Sequence, residues 1–175
     1  LKAQGIEFAY LRLGLRGYGE QGTLYTDRSF ARYYEGARAA GIDVGVYFFS
    51  QAVTVREAAD EALFALELLN GRALDLPVYY DWEPVSADDS RTAVYDGRYL
   101  TAGATAFCNI IEQGGYTAGV YLNRQQGYYR YDLRSLAGRS LWVADYADYP
   151  DFYYAYDVWQ YEHQARLDGV NEIID

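Results

Sequence analysis

Apolar residues recur along this chain in two rhythms. Short apolar runs closed by glycine or polar turns read as buried strands, and stretches with an apolar residue every three or four positions read as helices. Residues 5–14 (GIEFAYLRLG) form the first predicted strand, with Arg12 an unusual charge inside it. A buried arginine is rarely left unpaired, so a carboxylate partner is expected, Asp145 being one option. Residues 15–26 are glycine-rich and read as loop. Residues 27–40 read as a helix stopped by Gly41, and residues 42–50 (IDVGVYFFS) as the next strand. Thr54-Val55-Arg56-Glu57 has the form of a capping box, opening a helix through Ala58, Ala62, Ala65 and Leu69 to Asn70-Gly71. A strand over 76–84 and a helix over 101–113 follow. Further strands are predicted over 116–123, 140–146 and 156–161, with a last one over 170–175.

The spacing of these elements predicts an architecture. The early gaps between strands leave room for a crossover helix, as parallel neighbours require, whereas the last two gaps do not. The chain is therefore expected to be α/β, with a parallel sheet and a site at the carboxyl ends of its strands. No repeat, low-complexity tract or linker interrupts it, so 1–175 reads as a single domain.

Composition narrows the function classes. A formal charge of −10 argues against a nucleic-acid partner, since a phosphate backbone is met by Lys and Arg. No apolar run approaches the roughly 18 residues of a membrane span, so no membrane partner is expected. Cys108 is the single cysteine and His163 the single histidine, which excludes an internal disulfide and disfavours a His/Cys metal site. No signal peptide is visible at Leu1. The 21 tyrosines stand out. Tyrosine joins a flat apolar face to a polar tip, which suits stacking on sugar rings as well as filling a wet-edged core.

The chemistry concentrates in 76–84 (LPVYYDWEP). Val, Tyr and Trp favour a strand, and Pro77 and Pro84 bracket it. Alternation puts Tyr79, Asp81 and Glu83 on one face and Tyr80 and Trp82 on the other. Two neighbouring carboxylates among aromatic rings repel each other and are desolvated, so one is expected to keep its proton near neutral pH. A proton donor beside an ionised carboxylate is the equipment of glycoside hydrolysis. Asp145 and Asp175 also fall at or near predicted strand ends, where a barrel would gather them with Asp81 and Glu83.

The ordered pieces GIEFAYLRLG, DRSFARYYEGARAAGIDVGVYFFSQA, PVYYDWE, LTAGATAFCNIIEQGGYTAGVYLN, LWVADY, VWQY and DGVNEIID resemble the glycoside hydrolase family 25 lysozymes over nearly the whole chain. The resemblance implies a modified TIM-like barrel, (β/α)5 followed by extra strands. It implies cleavage of bacterial cell-wall peptidoglycan between N-acetylmuramic acid and N-acetylglucosamine, without cofactor or metal. Glu83 would be the general acid/base, and Asp81 would orient the substrate's 2-acetamido group for attack on the anomeric carbon. Asp175 matches an acidic position in the family's final strand. Arg12, Tyr47, Tyr121, Trp142, Asp145, Trp159 and Gln160 sit on matching strand ends as cleft-lining residues. The family's opening strand, with its aspartate in a DVS-like motif, has no counterpart before Leu1, so the domain is expected to lack its first strand. Such a protein would work at the cell wall, after secretion or as a phage product. Three other readings compete: a catalytically inactive glycan-binding barrel, a chitinase-like hydrolase, and a divalent-metal hydrolase using the acid cluster.

Overall fold

The computed structural model describes residues 1–86, 90–92 and 98–169. After a short 3-10 turn at Lys2–Gln4, the chain runs β1 (Phe8–Arg16), β2 (Leu24–Thr26), α1 (Phe30–Ala39), β3 (Asp43–Ser50), α2 (Val55–Leu69) and β4 (Val78–Trp82). It continues through α3 (Leu100–Gln113), β5 (Ala118–Asn123), α4 (Arg124–Tyr129), β6 (Ser140–Ala144) and β7 (Val158–Gln160). The strands form one sheet in the order β2-β1-β3-β4-β5-β6-β7. β2 pairs antiparallel with β1, and every other neighbouring pair is parallel.

Strand alternation sends two sets of side chains to opposite faces. Leu13, Val44, Val46, Phe48, Val78, Tyr80, Val120, Leu122 and Val143 are buried in one core with the helices, which contribute Ala58, Ala62, Ala65, Leu69, Phe107, Cys108 and Ile111. The alanines of α2 keep that helix close to its neighbours: a Cβ on Gly103 of α3 would stand 3.4 Å from the Ala58 methyl.

The other face carries rings. Tyr10 of β1 and Trp142 of β6 have centroids 4.8 Å apart, although three strands lie between them in the sheet. A flat sheet would separate those two strands by roughly 19 Å at the usual interstrand spacing. The sheet therefore curls on itself, and the fold is α/β with a modified TIM-like architecture. Tyr47, Tyr79 and Tyr121 also pack against Trp142, at 6.1, 5.4 and 5.2 Å, all near edge-to-face. Edge-to-face pairs contribute about 0.5–1.5 kcal/mol each beyond their buried area. Two glycines make room for this plug. A Cβ on Gly45 would lie 2.2 Å from the Tyr10 ring, and one on Gly119 2.4 Å from the Tyr79 ring.

Two elements depart from the sequence reading. β1 runs on past Gly14 because β2, hidden in the glycine-rich stretch, pairs with Gly14, Leu15 and Arg16. α4 lies where the sequence reading predicts no element, and Asn123 and Gln126 form a full capping box there, with Asn123 Oδ1 accepting from Gln126 N at 2.8 Å and Gln126 Oε1 from Asn123 N at 3.0 Å. At α2 the expected box is shifted by one residue. Thr54 accepts from Glu57 N, but Glu57 Oε2 accepts from Val53 N rather than from Thr54. The strand expected over 170–175 lies outside the described residues.

Candidate active site

The central strand β4 delivers the acids. Tyr80 and Trp82 turn into the helix-packed core, while Tyr79 and Asp81 face the ring-filled interior, as alternation predicts. Asp81 is buried at 6% exposure, and Glu83, just beyond the strand, is half-buried. Tyr121 stands opposite Asp81 on β5. Burial first, then the Glu83 and Asp81 carboxylates and the Tyr146 side chain, push the Tyr121 hydroxyl well above the ordinary phenol range. Tyr121 thus marks the point where the two acids and Tyr146 meet.

The main chain carrying Glu83 is held on both sides. The Trp82 carbonyl accepts from Gln126 Nε2 at 3.0 Å, and the Trp82 indole donates to the Ala52 carbonyl at 2.8 Å. The Glu83 carbonyl accepts from Gln51 Nε2 at 3.0 Å and lies 3.1 Å from the Thr92 hydroxyl. Gln51, Thr92 and Gln126 are each at least 95% buried. Buried amides with satisfied partners fix geometry, so the position from which the Glu83 carboxyl reaches out is set before any substrate arrives.

Beneath this clamp lies a buried ion network. Arg16 Nε meets Glu61 Oε1 at 2.6 Å, and its other two nitrogens donate to the Gly22 and Glu57 carbonyls at 2.7 and 2.8 Å. Arg91 joins in, bonding the Glu57 carboxylate at 2.6 Å and the Gln51 carbonyl at 3.2 Å.

The remaining sequence-predicted residues fall in distinct places. Tyr47 and Trp142 are part of the ring plug, and Trp142 is in register with Tyr121. Arg12 is not buried: its side chain is 47% exposed and pairs with Asp27 at 2.7 Å rather than with Asp145. Asp145 instead accepts from Asp151 N at 2.9 Å and lies 4.0 Å from Arg124. Gln160 is buried and in register with Ala144, the face of the interior rings. Trp159 is in register with Val143 on the opposite face, its indole donating to the Asp145 carbonyl at 2.8 Å. It lines an open depression with Tyr146, Tyr161 and His163. Asp175 lies outside the described residues. Sequence reasoning missed Tyr146, Gln51, Thr92 and Gln126. Only Gln126 carried a signal, the N-x-x-Q spacing of its capping box.

Comparisons with known proteins show the family and the fold. The family model described as "Glycosyl hydrolases family 25" matches residues 1–170. An autolytic lysozyme of Clostridium acetobutylicum is 24% identical over all of the chain. The chain spans about half (49%) of that relative's length. Among solved structures, the modular autolysin LytC of Streptococcus pneumoniae, in complex with a synthetic peptidoglycan ligand, superposes with a TM-score of 0.82 at 23% identity, covering 98% of this chain and 40% of that one. A bacterial lysozyme of Streptomyces coelicolor superposes with a TM-score of 0.74 at 21% identity, covering 99% and 81%.

Proposed function

Because the chain belongs to glycosyl hydrolases family 25, we propose that it hydrolyses bacterial cell-wall peptidoglycan at the β-1,4 bond between N-acetylmuramic acid and N-acetylglucosamine. The observation that carries this reading is the buried Asp81 and the clamped Glu83 at the end of β4, facing Tyr121. Glu83 protonates the glycosidic oxygen as positive charge develops on the sugar ring. Asp81 lies two residues earlier, with a Cα spacing of about 6.5–7 Å for extended chain. It orients the substrate's 2-acetamido group, whose carbonyl oxygen attacks the anomeric carbon. Glu83, now ionised, takes a proton from the water that opens the resulting ring, so two inversions give net retention. Arg12, Tyr47, Tyr121, Trp142, Asp145, Trp159 and Gln160 are assigned to the cleft and its floor, and Asp175 to the acid cluster. The proposed place of action is the cell wall. The names of the C. acetobutylicum and S. pneumoniae relatives support a wall substrate.

The test is a turbidity assay on purified walls with the new reducing end identified. N-acetylmuramic acid is expected there, in the β configuration when first released. A reducing N-acetylglucosamine would overturn the bond assignment, and an α first product would overturn the substrate-assisted route. Binding without any new reducing end would favour the inactive glycan-binding reading.

The clamp yields its own expectation. Gln51→Leu removes the amide that holds the Glu83 carbonyl. It is expected to lower kcat about tenfold while leaving KM within about twofold, because misplacing a general acid affects the reaction more than binding. Steady-state kinetics per folded molecule check this. An unchanged kcat with only a lower Tm would reduce Gln51 to a structural role.

A further inference from the structure

Beyond the cleft, the chain displays a second set of rings that the proposed reaction does not use. Tyr129 and Tyr153 are 79% and 87% exposed, with Tyr154 and Tyr128 at 46% and 39%. They touch one another: Tyr128 meets Tyr129 at 6.3 Å and Tyr154 at 6.1 Å, and Tyr153 meets Tyr154 at 5.4 Å. The group is anchored from below. Phe152 is buried and stacks 5.2 Å from Tyr128. A Cβ on Gly127 would stand 2.7 Å from the Phe152 ring, so only glycine admits it this closely. The Tyr153 amide donates to the Tyr128 hydroxyl at 2.8 Å. Four large rings, two of them packed on Phe152, form an exposed patch of the kind that often has a use.

We propose that Tyr128, Tyr129, Tyr153 and Tyr154 form a second glycan-binding platform that grips wall polysaccharide outside the acid-bearing cleft. This rests on the reading above that the polymer is wall glycan. Three features select this occupant. The exposed large apolar side chains here are all tyrosines, whose flat faces stack on sugar rings while their tips bond hydroxyls. The chain's charge of −10 works against a polyanion and against a second copy of itself. The platform is also continuous with the rim of the candidate site. Asp151, next to Phe152, is tied by its amide to the Asp145 carboxylate and by its carboxylate to Arg124 at 3.0 Å. Asp145 and Arg124 directly follow β6 and β5, the latter being the strand that carries Tyr121. A strand long enough to cross the rim reaches the platform, whereas a short fragment occupies the cleft alone. Tyr128, packed on buried Phe152, loses little freedom on binding.

The experiment uses Tyr129→Ala/Tyr153→Ala in two backgrounds. With Glu83→Gln added to stop turnover, cosedimentation with insoluble peptidoglycan measures wall affinity. With Glu83 intact, turnover is measured on a soluble tetrasaccharide of alternating N-acetylglucosamine and N-acetylmuramic acid. Wall affinity is expected to fall about tenfold, with tetrasaccharide kcat/KM within about twofold of the parent. Unchanged wall affinity overturns the proposal. So does an equal loss on the tetrasaccharide, which would place these rings inside the cleft. A concentration-dependent dimer in sedimentation velocity, abolished by the substitutions, assigns the patch to a second copy and likewise overturns it. If the parent cleaves neither substrate but the affinity difference persists, the platform stands and the hydrolase reading falls.

Discussion

Glu83→Gln is expected to keep the fold and lower turnover on wall glycan by roughly 10²-fold or more, about 2.7 kcal/mol of barrier. Glutamine matches the shape of glutamic acid but cannot give up a proton at the glycosidic oxygen. The fold should tolerate the change because the contacts that the residue 83 carbonyl makes with Gln51 and Thr92 survive the substitution. Its carboxyl end is half-buried at the strand mouth, away from the helix-packed core. Melting temperature and turnover measured on the same preparation separate the two effects. Turnover within a fewfold of the parent would remove Glu83 from the mechanism.

The second large effect is on stability. Arg16→Ala is expected to destabilise the protein by about 3–5 kcal/mol, the usual cost of leaving a buried charge without its partner. Arg16 is 5% exposed and Glu61 0%, so the Glu61 carboxylate would be left buried without its cation. The Gly22 and Glu57 carbonyls would lose their donors as well. Burial already pushes the Glu61 carboxyl up, from 4.5 to about 7, against the opposing pull of the Ser50 hydroxyl and Arg16. A carboxyl that holds its proton more tightly when folded favours the folded state most below its unfolded value. That contribution is lost as pH rises from about 4.5 through about 7. Removing Arg16 raises the folded value further, so Arg16→Ala should be tolerated better at pH 5 than at pH 8. Replacing both partners with apolar residues, Arg16→Met with Glu61→Leu, should recover much of the loss. Urea unfolding at the two pH values tests all three statements, and a loss independent of pH would show that Glu61 stays ionised throughout.

Period and punctuation made most of the fold legible. The runs of β3, β4, β5 and β6 announce themselves because both of their faces are buried, and α2 because its alanines and Leu69 repeat at helical spacing. β2 was not legible: three residues at a sheet edge, set among glycines, bury too little to leave a pattern. Arg12 misled because its strand looked buried throughout, whereas its half-exposed side chain meets Asp27, the residue that follows β2. The acid pair stood out because alternation is local. Its supports did not. Gln51 and Gln126 reach the main chain around Glu83 across 32 and 44 residues of sequence, and a neutral amide among neutral amides carries no pattern to betray that distance.

The ring plug has an optical consequence. Trp142 stands within 4.8–6.1 Å of Tyr10, Tyr47, Tyr79 and Tyr121. Tyrosine emits where indole absorbs, so light taken up by these four phenols passes to Trp142 and leaves as tryptophan fluorescence. Fixed, asymmetric rings at such distances also give strong near-ultraviolet circular dichroism, which vanishes when side-chain packing loosens even while helices persist. Trp82 sits in the other core, on the helix side of β4. A Trp82→Phe/Trp159→Phe protein would therefore leave Trp142 as the single tryptophan, reporting from among the rings that pack beside Tyr121, so that loosening of the active-site floor is seen separately from melting of the helices.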